Sequence, residues 1–181
     1  MSLTRRGLVA GLASLTPVAA AFAATTNDPD ADRAAAAALN RLVAGNTAAR
    51  LLNGKAVAVL VFPKIVKAGF LLGGAYGEGA LRQGGQTLGY YNSAAASYGL
   101  QAGVQWFGYA LFFMNADALK YLDSSQGWEI GVGPSVVVVD QGMGKKMTST
   151  TVTQDVYAFI FGQKGLMAGI GIEGSKITKI K

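Results

Sequence analysis

The sequence contains no cysteine and no histidine among its 181 residues. Histidine is the commonest general base and metal ligand, and the cysteine thiolate is both a nucleophile and a metal ligand. Their absence excludes most enzyme classes and most zinc, copper and haem sites. It also excludes a disulfide framework and a lipid anchor on cysteine. The sequence therefore predicts a non-catalytic protein that holds no metal and no cofactor.

Charged residues are scarce, at 14%, whereas glycine is abundant, with 25 residues. A chain of this length fits one domain with a sizeable core. Glycine permits tight turns and close approach of strands, and so little charge leaves few salt-bridged helices. We therefore expect one globular domain built mainly from glycine-bearing strands.

The first 23 residues have the pattern of a signal peptide. Arg5 and Arg6 precede a weakly apolar stretch, and Ala21-Phe22-Ala23 resembles an A-x-A cleavage site. The stretch is too interrupted for a permanent transmembrane helix. The arginine pair resembles a twin-arginine signal, and an ordinary positively charged signal peptide is the alternative. We expect cleavage after residue 23 and a periplasmic bacterial protein that is peripheral to the membrane. Cleavage removes two of the 16 basic residues and none of the 10 acidic ones, so the formal net charge falls from +6 to +4.

Residues 24–54 predict a helical region. Asp28 is suited to cap a helix that has Pro29 at its first position, and alanines follow. The helix is expected to break near Gly45-Asn46 and to resume until Gly54.

Residues 55–181 predict the β-rich part of the same domain. Pro63 should end the first strand, Gly84-Gly85 should form a hairpin, and Asn115 should cap one short inserted helix. Because no long crossover helix is evident, the strands should pair antiparallel in a strongly curved or barrel-like sheet. The predicted class is α+β, dominated by β. The apolar runs that suggest strands are 56–62, 66–82, 87–92, 98–105, 109–114, 128–132, 135–139, 150–160 and 165–172.

Three searches for functional motifs predict no site. The glycines around Gly142 and Gly144 lack the spacing of a phosphate-binding loop, so no nucleotide site is predicted. A net charge of +4 spread over many turns is no basic stripe, so nucleic acid is not an expected partner. Glu78 and Glu173 lie in glycine-rich strands, where a cross-strand partner of opposite charge is favoured over a glycosidase-like carboxylate pair.

The densest aromatic cluster is Trp106-Phe107-Gly108-Tyr109 with Phe112 and Phe113. Such a cluster usually packs the inside of a sheet, and the alternative is an exposed apolar wall that receives an acyl chain.

Several motifs resemble the SYLF family of lipid-binding domains. The segment Val61-Phe62-Pro63-Lys64-Ile65-Val66-Lys67-Ala68-Gly69-Phe70, followed by Gly73-Gly74-Ala75-Tyr76-Gly77-Glu78-Gly79, looks like the family signature. Further matches are Ser97–Gln105, Met114-Asn115 and Gln163–Gly169. The resemblance implies binding of membrane lipid, since eukaryotic SYLF domains bind phosphoinositides and some also bind actin.

For an exported bacterial chain, the resemblance implies binding of anionic phospholipid without catalysis. The candidate headgroup ligands are Lys64, Lys67 and Lys164, and the candidate acyl contacts are Phe70, Trp106 and Phe107. The alternative is an envelope protein whose sheet docks another protein, of unknown identity. Ordinary solvated loop lysines are the competing interpretation of the three cations.

Overall fold

The structure, a computed structural model, describes residues 29–124, 126–165, 172 and 174–180, apart from the side chains of residues 70–72 and 97–102. The predicted signal peptide, the predicted cap Asp28 and Glu173 lie outside the described residues. The signal peptide and the domain boundaries remain predictions.

The N-terminal helical region is confirmed, with its break where glycine predicts it. Helix α1 spans Pro29–Gly45 and helix α2 spans Thr47–Asn53. The Asn46 side chain caps α2 by accepting a hydrogen bond from the backbone amide of Ala49 at 3.0 Å. Arg50 of α2 reaches back and donates to the carbonyl groups of Val43 and Ala44, so it satisfies the carboxyl end of α1.

Helix α1 lies against the sheet through alanine. Ala35 and Ala38 are buried, and their small side chains let the helix approach closely. Arg82 donates to Asp32 of α1 at 2.5 Å, and the Thr87 hydroxyl donates to the same carboxylate oxygen. The Thr87 hydrogen bond and the nearby Arg82 guanidinium lower the pKa of Asp32, although its partial burial acts in the opposite sense. This cluster ties the helix to the sheet.

Two long strands form the centre of the sheet. Strand β1 spans Ala58–Gln83 and strand β2 spans Gln86–Phe113, and they pair antiparallel along their length. Gly84 and Gly85 join them with φ values of 56° and 86°, as a two-residue hairpin of type I′ requires. The hairpin prediction is confirmed.

The interior of each long strand differs from the prediction. Pro63 does not end β1, because the register shifts between Phe62 and Ile65, and this irregularity accommodates a residue that lacks an amide hydrogen. Strand β2 is continuous where three strands were expected, over residues 87–92, 98–105 and 109–114. Gly108 does not break it, and a side chain there would collide with the Phe161 ring.

Strand β1 folds back against itself. A Cβ atom at Gly77 would lie 2.4 Å from the Lys64 carbonyl oxygen, and one at Gly79 would lie 2.4 Å from the Val61 carbonyl oxygen. These two glycines therefore bring the second half of the strand against the first half. They are backbone requirements of the fold, and they explain how so long a strand is bent.

Among the described residues, the remaining strands extend the sheet to six strands in the order β3-β6-β2-β5-β4, with β1 on β2. Their bounds are Trp128–Glu129 for β3, Val136–Val138 for β4, Val156–Gly165 for β5 and Lys176–Ile180 for β6. The predicted strand over residues 165–172 falls mostly outside the described residues. The Asn115 cap is confirmed, because its side chain accepts from the Ala118 amide at the start of α3, which spans Ala116–Lys120 and leads into a 3₁₀ turn over Tyr121–Asp123.

The expectation of purely antiparallel pairing with one short helix is wrong at one place. Strands β4 and β5 are parallel, and helix α4, Gln141–Lys146, lies in the connection between them. Asp140 caps α4 by accepting from the Met143 amide, which overcomes the low helix propensity of its two glycines. A Cβ atom placed on Gly144 would lie 3.6 Å from the Cβ atom of Ala48, so α4 packs closely on α2.

The two faces of the sheet carry separate apolar cores. One core packs beneath the helices and includes Val61, Phe112 and Phe159. The other lies on the opposite face and includes Phe62, Tyr109 and Trp128. The predicted β-dominated α+β class is confirmed, and the sheet is an open, strongly curved half-barrel. In the described part of the chain, no helix has both the length and the apolar character that a membrane span needs.

Candidate functional site

A row of side chains crosses three strands on the helix-bearing face of the sheet. Val66 of β1 is the register partner of Trp106 of β2, and Trp106 is the partner of Lys164 of β5. Directly opposed residues share a face and have Cβ atoms about 5 Å apart. Two residues along β2, Val104 lies on the same face.

This row is exposed and is not part of the core that packs beneath the helices. Val66 is 38% exposed, Trp106 is 39% exposed and Val104 is 43% exposed, and Lys164 is also exposed. Large apolar side chains at adjacent positions on a surface are typical of an interaction site. We call Lys64, Val66, Val104, Trp106 and Lys164 the outer patch.

Lys64 joins the outer patch through its ammonium group, which lies 5.9 Å from the centroid of the Trp106 ring. Such a cation–π contact contributes about 0.5–1 kcal/mol at an exposed site. The contact holds a positive charge beside an apolar ring, so the patch offers both charge attraction and apolar surface.

A groove of about 550 Å³ opens where the two halves of β1 meet, beside the outer patch. Lys64 and Val66 line one side, and the segment from Gly74 to Glu78 lines the other. The close approach at Gly77 creates the groove, because it places Tyr76 and Glu78 next to Lys64.

The groove also contains a polar pair on its far side. The Tyr76 hydroxyl donates to the Glu78 carboxylate at 2.9 Å. Desolvation by burial raises the pKa of Tyr76 to about 12, and the Glu78 carboxylate adds to the shift. Tyr76 is therefore a neutral donor near neutral pH, and it fixes the orientation of Glu78.

Glu78 does not have the cross-strand basic partner that the sequence suggests. Its register partner is Asn92, and within the part of the chain that the structure describes it forms no salt bridge with lysine or arginine. The carboxylate is half-buried and lines the groove, so its charge is available there.

The structure brings together only some of the candidate site residues. Lys64, Lys164 and Trp106 meet in the outer patch. Lys67 is the partner of Gln105 and lies on the opposite face of the sheet, so it is separated from the other two lysines. Phe107 is 3% exposed and belongs to the core, because strand alternation turns it inward from Trp106. The Phe70 side chain lies outside the described residues.

Sequence reasoning missed Val66, Val104, Tyr76 and Glu78 as site residues. Only strand register shows that Val66 adjoins Trp106, and only the folded-back strand shows that Glu78 adjoins Lys64. The available signal was the family resemblance, since Val66, Val104 and the motif Tyr76-Gly77-Glu78 all stand in family-like segments.

The described residues form a curved, β-dominated sheet whose surface carries an apolar and cationic patch. Residues 94–181 match the family model Ysc84, whose description is "Las17-binding protein actin regulator". This match agrees with the resemblance to the SYLF family that the sequence motifs indicate. The family is one of binding domains, associated with lipid binding and with actin and protein interaction. The first signature segment precedes the matched residues, but β1 pairs with β2 throughout and so belongs to the same sheet.

Comparison with curated proteins found no match.

Proposed function

We propose that this chain binds anionic phospholipid at a membrane surface through the outer patch, without catalysis. The observation that carries the proposal is the half-exposed Trp106 ring with Lys64 over it and Lys164 beside it. Tryptophan is suited to the boundary between headgroups and acyl chains, because its ring is apolar and its N–H group is polar. The association of SYLF domains with lipid supports the assignment.

Charge alone is too weak to hold the chain on a membrane. Each lysine near an anionic surface contributes about 1 kcal/mol, so Lys64 and Lys164 together contribute about 2 kcal/mol. Millimolar binding requires about 4 kcal/mol. Insertion of the exposed apolar part of Trp106, with Val66 and Val104, must supply the remainder, at about 25 cal/mol per Å² of buried apolar surface.

Co-sedimentation of the full chain with vesicles tests this proposal. The vesicles contain phosphatidylcholine alone or with phosphatidylglycerol, at low and high salt. We expect binding to the anionic vesicles that weakens with salt, because screening reduces charge attraction. Binding should fall in the double variant Lys64→Gln, Lys164→Gln.

The matched control removes the same charge elsewhere. Lys145 of α4 and Lys176 of β6 are exposed and lie outside the outer patch. Their double substitution by glutamine should leave binding nearly unchanged. Equal losses in the two double variants would show that only net charge matters and would contradict a site at the outer patch.

A second candidate function is docking of a protein partner on the same face. The family description, which names Las17 binding and actin regulation, favours it. Absence of binding to every vesicle composition would exclude the lipid proposal and favour this one.

The place of action that we propose is the periplasmic face of a bacterial membrane. Its support is the signal-peptide pattern over residues 1–23, with Arg5 and Arg6 before an apolar stretch. Microscopy of a C-terminal fluorescent fusion, with and without substitution of the arginine pair by glutamine, tests export. Retention of the variant inside the cell is the expected result, and unchanged export would contradict a role for this pair.

A further inference from the structure

The groove beside the outer patch carries opposite charges on its two sides. Lys64 lies on one side and Glu78 on the other, and their ammonium and carboxylate groups are not in salt-bridge contact in the structure. Lys64 is directed to the Trp106 ring, and Glu78 accepts from Tyr76. Two opposite charges held apart in this way match a ligand that itself carries both charges.

We propose that the groove selects a zwitterionic headgroup with a primary ammonium group, as in phosphatidylethanolamine. The lipid phosphate faces Lys64 and Lys164, and the headgroup ammonium donates hydrogen bonds to Glu78. This inference rests on the proposed membrane binding and adds the class of headgroup.

The chemistry of the carboxylate distinguishes between headgroups. A primary ammonium has three N–H donors, and a hydrogen bond from a charged donor to a carboxylate is stronger than a neutral one. A quaternary ammonium, as in phosphatidylcholine, has no N–H donor. A simple anionic headgroup, as in phosphatidylglycerol, presents no positive charge to Glu78. The groove therefore prefers ethanolamine to choline at equal membrane charge.

The walls of the groove are apolar enough to strengthen this contact. Val66 and Ala75 line it together with the Tyr76 ring, and Tyr76 and Glu78 are half-buried. Partial desolvation strengthens a hydrogen bond between charged groups. The Tyr76 hydrogen bond orients the carboxylate before the lipid arrives, which reduces the cost of ordering it.

The test compares two vesicle compositions with the same fraction of phosphatidylglycerol, the remainder being phosphatidylcholine or phosphatidylethanolamine. The full chain should bind the ethanolamine vesicles about fivefold more tightly, which corresponds to about 1 kcal/mol, the net contribution of a typical hydrogen bond. Glu78→Gln should abolish this preference, so that the variant binds the two compositions equally. Glutamine retains an oxygen that can accept from Tyr76, so the fold is preserved.

The control variant is Glu129→Gln, which removes an exposed carboxylate from β3 on another part of the sheet. It should keep the fivefold preference. If Glu78→Gln keeps the preference as well, a general effect of ethanolamine lipids on bilayer packing explains it and the headgroup inference fails. Equal binding of the wild type to both compositions also overturns the inference but leaves the proposed function standing. Absence of binding to either composition overturns the proposed function.

Discussion

Substitution of Gly79 by alanine should destabilise the domain severely, because it blocks the contact between the two halves of β1. The added Cβ would lie 2.4 Å from the Val61 carbonyl oxygen and 2.7 Å from Cδ1 of Phe62. Both distances are about 1 Å shorter than a van der Waals contact. Backbone carbonyl groups cannot rotate away as a flexible side chain can, so the strand itself must move.

The expected cost of Gly79→Ala is about 1–3 kcal/mol, the usual range for overpacking a well-filled core. For a domain of this size, that corresponds to a fall in the melting temperature of about 2–12 °C. Thermal and urea unfolding followed by circular dichroism measure it. The groove should be lost with the contact, so vesicle binding should weaken as well.

Gly74 supplies the matched control in the same strand and the same motif. A Cβ at Gly74 would lie 3.5 Å from the Ala95 carbonyl oxygen, which is an ordinary contact. Gly74→Ala should therefore lie between no change and about 1 kcal/mol of stabilisation, because alanine reduces the freedom of the unfolded chain. Equal unfolding midpoints for wild type and Gly79→Ala, or equal losses in the two variants, would refute the account of how β1 bends.

Three further predictions concern local contacts. Asn115→Ala should cost about 1 kcal/mol in unfolding free energy, because the Ala118 amide loses its cap; urea titration measures it, and an unchanged midpoint would contradict the cap. Thr87→Val should raise the pKa of Asp32 and lower the melting temperature above about pH 4, because a carboxylate with a lowered pKa stabilises the fold above its unfolded value of 3.8 and loses that contribution as pH falls through the folded value. The difference between the variant and the wild type should therefore shrink as the pH falls below 3.8, and no difference, or the same difference at every pH, would contradict the prediction. Burial raises the pKa of Tyr91 from 10.0 to about 12, so the stability of the fold should decrease as the pH rises through this range. In a pH titration followed by absorbance, the tyrosinate signal of Tyr91 should appear at a higher pH in the folded protein than in the unfolded protein.

Local signals in the sequence predicted the features that depend on neighbouring residues. Asn115 caps α3 because its side chain accepts from an amide three residues ahead, and the N-terminal helical region breaks between α1 and α2 at the predicted Gly45-Asn46. Gly84 and Gly85 form the hairpin because both adopt positive φ. These features depend only on residues that are close in sequence, so they can be predicted without knowledge of the rest of the fold.

Features that depend on distant contacts were not predictable in the same way. Gly142 and Gly144 suggest a turn, yet α4 forms there because Gly144 packs against Ala48 of another helix. Helix α4 lies in the crossover connection that parallel pairing of β4 with β5 requires. Pro63 suggests a strand end, but the register shift beside it lets β1 continue.

The candidate site shows the same division. The family resemblance pointed to Lys64, Lys164 and Trp106 as lipid contacts, but only the strand register and the cation–π contact place these three together and Lys67 on the opposite face. Glu78 lies in the site because strand β1 folds back on itself and brings Gly77 against Lys64, which is more than ten residues earlier in the sequence.

The most direct test of the outer patch is the fluorescence of Trp106 on vesicles of phosphatidylglycerol with brominated acyl chains. The chain has two tryptophans, and Trp128 is 2% exposed, so only Trp106 can meet lipid without unfolding. Wild-type emission should shift to shorter wavelength and be quenched, and Trp106→Phe should show neither change. Binding of the wild type to these vesicles with unquenched, unshifted Trp106 emission would contradict membrane contact through this patch.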